Sequence, residues 1–290
     1  MPLLDEVRQF CADLAGRARS VRIDLDRADH VVPGPEPVLD PEPHYLEGTR
    51  EDVVAYLLTL DTINFGSGWF PTLRKRPCCS GYYTIAWALA DRWREHGPWS
   101  AGQLRSLDAA EVAAVLGQEA SHELMGLYAR ALRDLGAFLG ERRPVDAVAE
   151  AAGSAERLAE QLATGMSFFA DPGFYKRAQI TANDLTLAGV AEFGDLDRLT
   201  IFADNLVPHV LRVDGVLVYD DALAASIDAG ELLAPGIEER EIRACALHAC
   251  ELIAAKLGVP PRTLDTWLWD RGQGPRYKAL PRHRTRTVFY

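Results

Sequence analysis

Apolar positions recur at helical spacing along almost the whole chain. Leu3, Val7, Phe10, Cys11, Leu14 and Ala18 share one face of a helix predicted over residues 3–21. Residues 31–43 then carry five prolines. Proline fixes φ and removes a backbone donor, so this stretch reads as an extended connector. Helical patterns follow at about 49–62, 80–96, 108–115, 118–139, 144–150, 154–164 and 176–191, with Gly, Pro or polar breaks between them. The later patterns cover about 195–199, 205–213, 218–228, 237–257 and 261–270. Ala and Leu are frequent, and β-branched alternation is scarce until the last few residues. Propensity and period agree on an all-α protein. The segment before the proline connector is too short to fold alone. The expectation is therefore one multi-helix domain over residues 1–290, with room for two helical lobes.

Charge narrows the partners. The 290 residues carry a net charge of −11. Polymeric nucleic acid is held by neutralising many phosphates with Lys and Arg, so DNA or RNA is not the expected partner. One phosphate group needs only one or two local cations and stays open. The five cysteines are odd in number, and Cys11, Cys78, Cys79, Cys245 and Cys250 form no C-x-x-C or Cys/His metal spacing. Reduced thiols, no metal and no cofactor are the expectation. Asp5, Glu6, Arg8, Asp13 and Arg17 interrupt the first turns, and no apolar run is long enough to span a bilayer. The chain is expected to be soluble and cytoplasmic.

Chemistry concentrates in a few places. Phe202 to Arg212 reads Phe-Ala-Asp-Asn-Leu-Val-Pro-His-Val-Leu-Arg, an acid just before a helix with proline in its first turn. An isolated Asp there is ordinarily an N-cap. Asp204, however, follows Asp195 and Asp197 and precedes a Gly215 turn between two helical patterns. A carboxylate at such a junction can also act on a substrate lying over the helix end. Further on, Asp265 and Trp269 fall one helical turn apart with Asp270 beside them. Two acids and an indole suit a planar, hydrogen-bonding heterocycle, and they equally suit a surface helix with buried tryptophans. Arg276, Lys278, Arg282, His283, Arg284 and Arg286 form a basic stretch that can clamp a phosphate or lie solvated. Lys176 with Arg177, and Arg74-Lys75-Arg76, pose the same choice. Asn64 and Phe65 open a Gly-rich aromatic loop that can line a pocket or pack a helix end. His44 lies in a loop beside Tyr45, where a lone histidine is ordinarily a surface residue. No G-x-S-x-G, Walker A or H-E-x-x-H occurs.

Taken together, these segments resemble the queuosine salvage proteins, queuosine 5′-phosphate N-glycosidases that release the base queuine. The resemblance rests on the His44 loop, Asp61 to Phe65, Tyr175 to Ile180 with Asp184, and Phe193 to Asp204. It continues through Val207-Pro208, Val210 to Arg212, Gly215 to Tyr219, Glu241 to Ala244, Glu251 to Ile253, and His283 to Arg286 with Tyr290. It implies an all-α fold similar to the helix–hairpin–helix DNA glycosylases, with the hairpin near residues 204–228. It implies that Asp204 is the catalytic acid with Phe202 beside it. His44, Asp265, Trp269 and Asp270 would line the base site, with Asn64 and Phe65 as further lining. Queuine carries a secondary amine that is cationic at neutral pH, which gives Asp265 and Asp270 a reason to be acids. Lys176, Arg177 and Arg284 would meet the 5′-phosphate of queuosine 5′-monophosphate, and queuosine itself is a further candidate substrate. Asn205 and His209 stand where many members carry Tyr and Gln. Two other readings stay open: a base-excising DNA glycosylase, which the net charge disfavours, and a non-enzymatic helical module in which Asp204 is only a cap.

Overall fold

The computed structural model describes residues 1–290, the side chain of His30 excepted. The chain is predominantly helical. In order, its elements are α1 (Leu3–Arg17), β1 (Val21–Ile23), α2 (Arg50–Thr62), α3 (Gly81–His96), α4 (Ala101–Ser106), α5 (Ala109–Leu116) and α6 (Glu123–Leu139). Then come α7 (Pro144–Ala149), α8 (Ala155–Gly165), α9 (Lys176–Leu187), α10 (Leu206–Val213) and β2 (Leu217–Tyr219). The chain closes with α11 (Asp221–Asp228), α12 (Ile237–Leu257), α13 (Pro261–Gly272) and α14 (Pro275–Lys278). Two compact units form. The first comprises Met1–Pro37, Pro172–Lys176 and Asp197–Thr287, and the second Val38–Asp171, Arg177–Leu196 and Val288–Tyr290.

The first unit is organised on α12. Ala244, Cys245, Ala246, Ala249, Cys250 and Ala254 are buried along it, and such small side chains let neighbouring helices approach closely. α1 packs on it, with Leu3, Val7, Cys11 and Leu14 of the predicted stripe buried and Leu4 beside them. α10 and α13 pack on each other and on α12. Trp267 of α13 donates from Nε1 to the Pro35 carbonyl at 2.7 Å, which lays the proline connector against this helix. In the second unit α2 is buried nearly all round, against α3, α6 and α7. Its start is a capping box between Thr49 and Asp52, and α4 and α5 begin with boxes of the same kind.

Several expectations differ from the structure. The helix predicted over 3–21 stops at Arg17, and Val21–Ile23 pairs antiparallel with Leu217–Tyr219. The pattern at 218–228 therefore begins as a strand before Asp220 caps α11. Leu217 and Tyr219 face inward and Val218 outward, a period of two too short to stand out from sequence. α4 was not expected at all.

The turn from α10 into β2 depends on Gly215, whose φ is +83°. This conformation lets the Val216 N–H reach the Leu211 carbonyl at 2.8 Å and close the helix end. A Cβ at Gly215 would meet nothing nearer than 3.7 Å, so a substitution there is penalised by backbone conformation alone. Gly215→Ala is expected to destabilise the protein by about 1–2 kcal/mol in urea denaturation, the penalty of a left-handed residue with a side chain. An unchanged midpoint would show that the turn relaxes freely.

Candidate active site

The loop before α10 belongs to the first unit, and each of its four residues is held by a different partner. The Phe202 N–H donates to Asp265 Oδ1 of α13 at 2.8 Å. The Ala203 carbonyl accepts from Arg243 Nε of α12 at 2.8 Å. Asp204 Oδ1 accepts from the N–H groups of Leu206 and Val207, at 2.7 and 3.3 Å. Asn205 Nδ2 donates to the His283 carbonyl at 3.2 Å. Phe202, Ala203 and Asn205 are buried, so the main-chain groups of the first two and the side-chain amide of the third need these partners in place of water. Asp204 is half-buried. One of its oxygens caps α10, where helix amides favour negative charge. Its other oxygen makes no hydrogen bond or ion pair among the described residues.

Arg243 is the support that sequence reading passed over. It is buried, stacks over the Phe174 ring with 3.9 Å to the centroid, and pairs with Glu239 one turn away at 3.4 Å. An arginine within a helix lined by Ala and Cys was the available signal.

On α13, Asp265 is buried, Trp269 half-buried and Asp270 largely exposed. One Asp265 oxygen is committed to the loop, while the Asp270 carboxylate has no hydrogen bond or ion pair among the described residues. Partial desolvation raises the Asp270 carboxyl above the usual range despite its exposed edge. Arg284 Nη2 donates to the Gly230 carbonyl at 2.5 Å. Lys176 is buried at the start of α9.

The sequence profile of the queuosine salvage proteins matches residues 44–290. The chain belongs to the queuosine salvage protein family. A protein of Sphaerobacter thermophilus named queuosine 5′-phosphate N-glycosylase/hydrolase is 34% identical over 88% of this chain and 86% of its own length. Proteins with the same name in Nematostella vectensis and Mus musculus are 31% and 28% identical. They cover 82% and 84% of this chain, and 82% and 83% of their own lengths.

The remaining predicted residues of this queuosine salvage protein fall in the second unit, and the structure gives them packing partners there. Phe65 is core, edge-on to Tyr128 at 5.0 Å and 80°. Asn64 is half-buried just past the end of α2. Arg177 is fully buried between the rings of Phe65 and Phe169, each centroid 4.8 Å away. Its terminal nitrogens donate to the carbonyls of Asp61, Thr62, Phe168 and Val288, which leaves no terminal donor for a phosphate. His44 is buried, not on the surface. Its Nδ1 lies 2.6 Å from the Asp40 carbonyl and its Nε2 2.8 Å from the Tyr82 hydroxyl. A carbonyl only accepts, so Nδ1 carries the hydrogen and Nε2 accepts from Tyr82. Burial also lowers the basicity of this ring.

The neighbouring acids are structural. Asp195 accepts from Ser154 Oγ and the Ala155 N–H at 2.7 and 2.6 Å, capping α8, and Asp197 pairs with Arg262 at 2.7 Å. A surface depression of about 690 Å³ in the second unit is lined in part by Arg74, Lys75, Arg76, Asp91 and Arg92. Glu119 and Asp91 answer its charge by pairing with Arg74 and Arg76. Among the described residues no group of three or more His, Cys, Asp or Glu is placed to hold a metal, and no helix is long and apolar enough to cross a membrane.

Arg243→Met keeps the bulk but leaves the Ala203 carbonyl and the buried Glu239 without their partner. Breaking a buried pair in this way is expected to cost about 3–5 kcal/mol in chemical denaturation. A wild-type midpoint would mean that the Arg243 contacts contribute nothing to the loop.

Proposed function

We propose that this protein hydrolyses the N-glycosidic bond of queuosine 5′-monophosphate and releases queuine for salvage, with queuosine as a second substrate. One observation carries the reading in a chain of this family. The Asp204 carboxylate is immobilised through one oxygen and unpartnered at the other, on a loop held at every residue. As the C1′–N bond lengthens, positive charge develops on the ribose. In this reading the unpartnered oxygen of Asp204 faces that carbon, and the negative charge stabilises the oxocarbenium-like state. Water supplies a hydroxyl to C1′ and a proton to the departing base, giving queuine and ribose 5-phosphate. Because the carboxylate is already oriented, little reorganisation is needed as the charge forms.

In this reading the half-buried Trp269 and the buried Phe202 lie against the base, and the unpartnered carboxylate of Asp270 is the counter-ion for the cationic amine. Asp265 supports the same end of the site through its bond to Phe202. The run from α10 through the Gly215 turn and β2 to α11 is, in the same reading, the hairpin of a fold akin to the helix–hairpin–helix DNA glycosylases. The net charge of −11 favours a small nucleotide over a nucleic-acid polymer.

Asp204→Asn is expected to abolish queuine release, followed by mass spectrometry, while thermal stabilisation by the nucleotide persists. Release at the wild-type rate by this variant ends the assignment. For Asp270 the sign follows from its raised carboxyl. It becomes neutral at a higher pH than an ordinary aspartate, so the cation loses its counter-ion as pH falls through that value. KM is therefore expected to rise on the acid side. Asp270→Asn should show a raised KM near neutral pH and lose this acid limb. An unaltered pH profile would remove Asp270 from the base site.

A further inference from the structure

The basic stretch near the end of the chain is not uniformly available. Arg284 is spent on the Gly230 carbonyl, and Arg276 reaches the Val213 carbonyl and the buried Asp214. Arg212 pairs with Asp228 through both carboxylate oxygens, and Arg243 holds Ala203 and Glu239. Lys278 is exposed to solvent. Arg282 differs from all of these. It is half-buried, yet its guanidinium makes no hydrogen bond or ion pair among the described residues. None of its nitrogens is shut off from water, so the whole donor fork is open to an anionic ligand.

Its position indicates which anion. The bond from Asn205 to the His283 carbonyl ties the residue after Asp204 to the residue after Arg282. The two charged side chains therefore arise from adjacent, pinned stretches of backbone. Burial lowers the basicity of Arg282, and Asp204 opposes this by favouring its charged form without reaching ion-pair distance. The surroundings are otherwise positive. Burial, with Arg243 and Arg282 next in effect, holds His283 neutral with a pKa lowered to about 3, and Arg282 and Arg212 act in the same direction on His209. In a 5′-ribonucleotide one ring and one methylene separate the anomeric carbon from the phosphate. A cation serving that phosphate must stand near the group at the anomeric carbon without pairing with it.

We propose that Arg282 is the anchor for the substrate's 5′-phosphate, and that it sets the preference for the nucleotide over the nucleoside. This rests on the reading that Asp204 faces the anomeric carbon. A guanidinium fork matches a phosphate through paired, charge-assisted hydrogen bonds, which a lysine at the same place meets only as a point charge.

The test compares wild type, Arg282→Gln and Arg282→Lys with queuosine 5′-monophosphate and with queuosine. For the Gln variant, the ratio of kcat/KM for the monophosphate to that for the nucleoside is expected to fall about 10–100-fold, the value of a lost charged hydrogen bond. The Lys variant should fall between. Ribose 5-phosphate, titrated by thermal shift, should stabilise wild type and lose that effect in the Gln variant. An unchanged ratio, or ribose 5-phosphate binding equally to wild type and both variants, overturns the proposal. If wild type releases queuine from neither substrate, the activity reading falls, and the ribose 5-phosphate titration alone decides Arg282. Should the Gln variant misfold, the Lys variant carries the comparison, and a wild-type ratio there with wild-type ribose 5-phosphate affinity overturns the assignment.

Discussion

The hydrogen bond from Arg243 to the Ala203 carbonyl is the constraint on which the rest of the first unit's chemistry hangs. The stretch from Phe202 to Asn205 is neither helix nor ladder strand, yet most of it is buried. Its peptide groups have no regular partners and must be met one at a time. Arg243 takes a carbonyl and Asp265 takes an N–H, while the Asn205 side chain ties the loop to the His283 carbonyl. Only with that backbone held can Asp204 cap α10 with one oxygen and keep the other in a constant direction. Burying the Arg243 charge is itself unfavourable. The Phe174 ring, Glu239 and the Ala203 carbonyl together offset it.

Such rigidity has a chemical purpose in the proposed reaction. A carboxylate stabilising a developing cation is most effective when its orientation does not change as the charge appears. Capping is thus not an alternative to catalysis here: the same side chain can do both, because a carboxylate has two oxygens. The sequence left cap and catalytic acid as alternatives, and the geometry is compatible with both at once.

Charge in the first unit is arranged unevenly despite the acidic whole. Most cations near the site are consumed by carbonyls or acids, leaving Arg282 unpaired, while Asp270 is unpaired on α13. Queuosine 5′-monophosphate is itself dipolar, with an anionic phosphate at one end and a cationic amine at the other. In the proposed reading these two side chains meet those two ends, and local pairing governs binding more than net charge does.

The helices were largely legible because burial on one face repeats with the turn of the helix, and that period survives in the residues of α1, α12 and α13. The proline connector, the Gly215 turn and the acid before α10 were legible for a similar reason: each answers to local backbone chemistry. The three-residue strands were not, since their partners lie almost two hundred positions apart and two inward side chains make no pattern. Nor could spacing separate Arg284 from Arg282, or show that Arg177 is a core strut and His44 a buried one. A charged side chain's role depends on which carbonyls and carboxylates arrive beside it from distant parts of the chain. Local order supplied the elements and the position of Asp204; only folding decided which cations and acids would be neutralised and which would remain for a ligand.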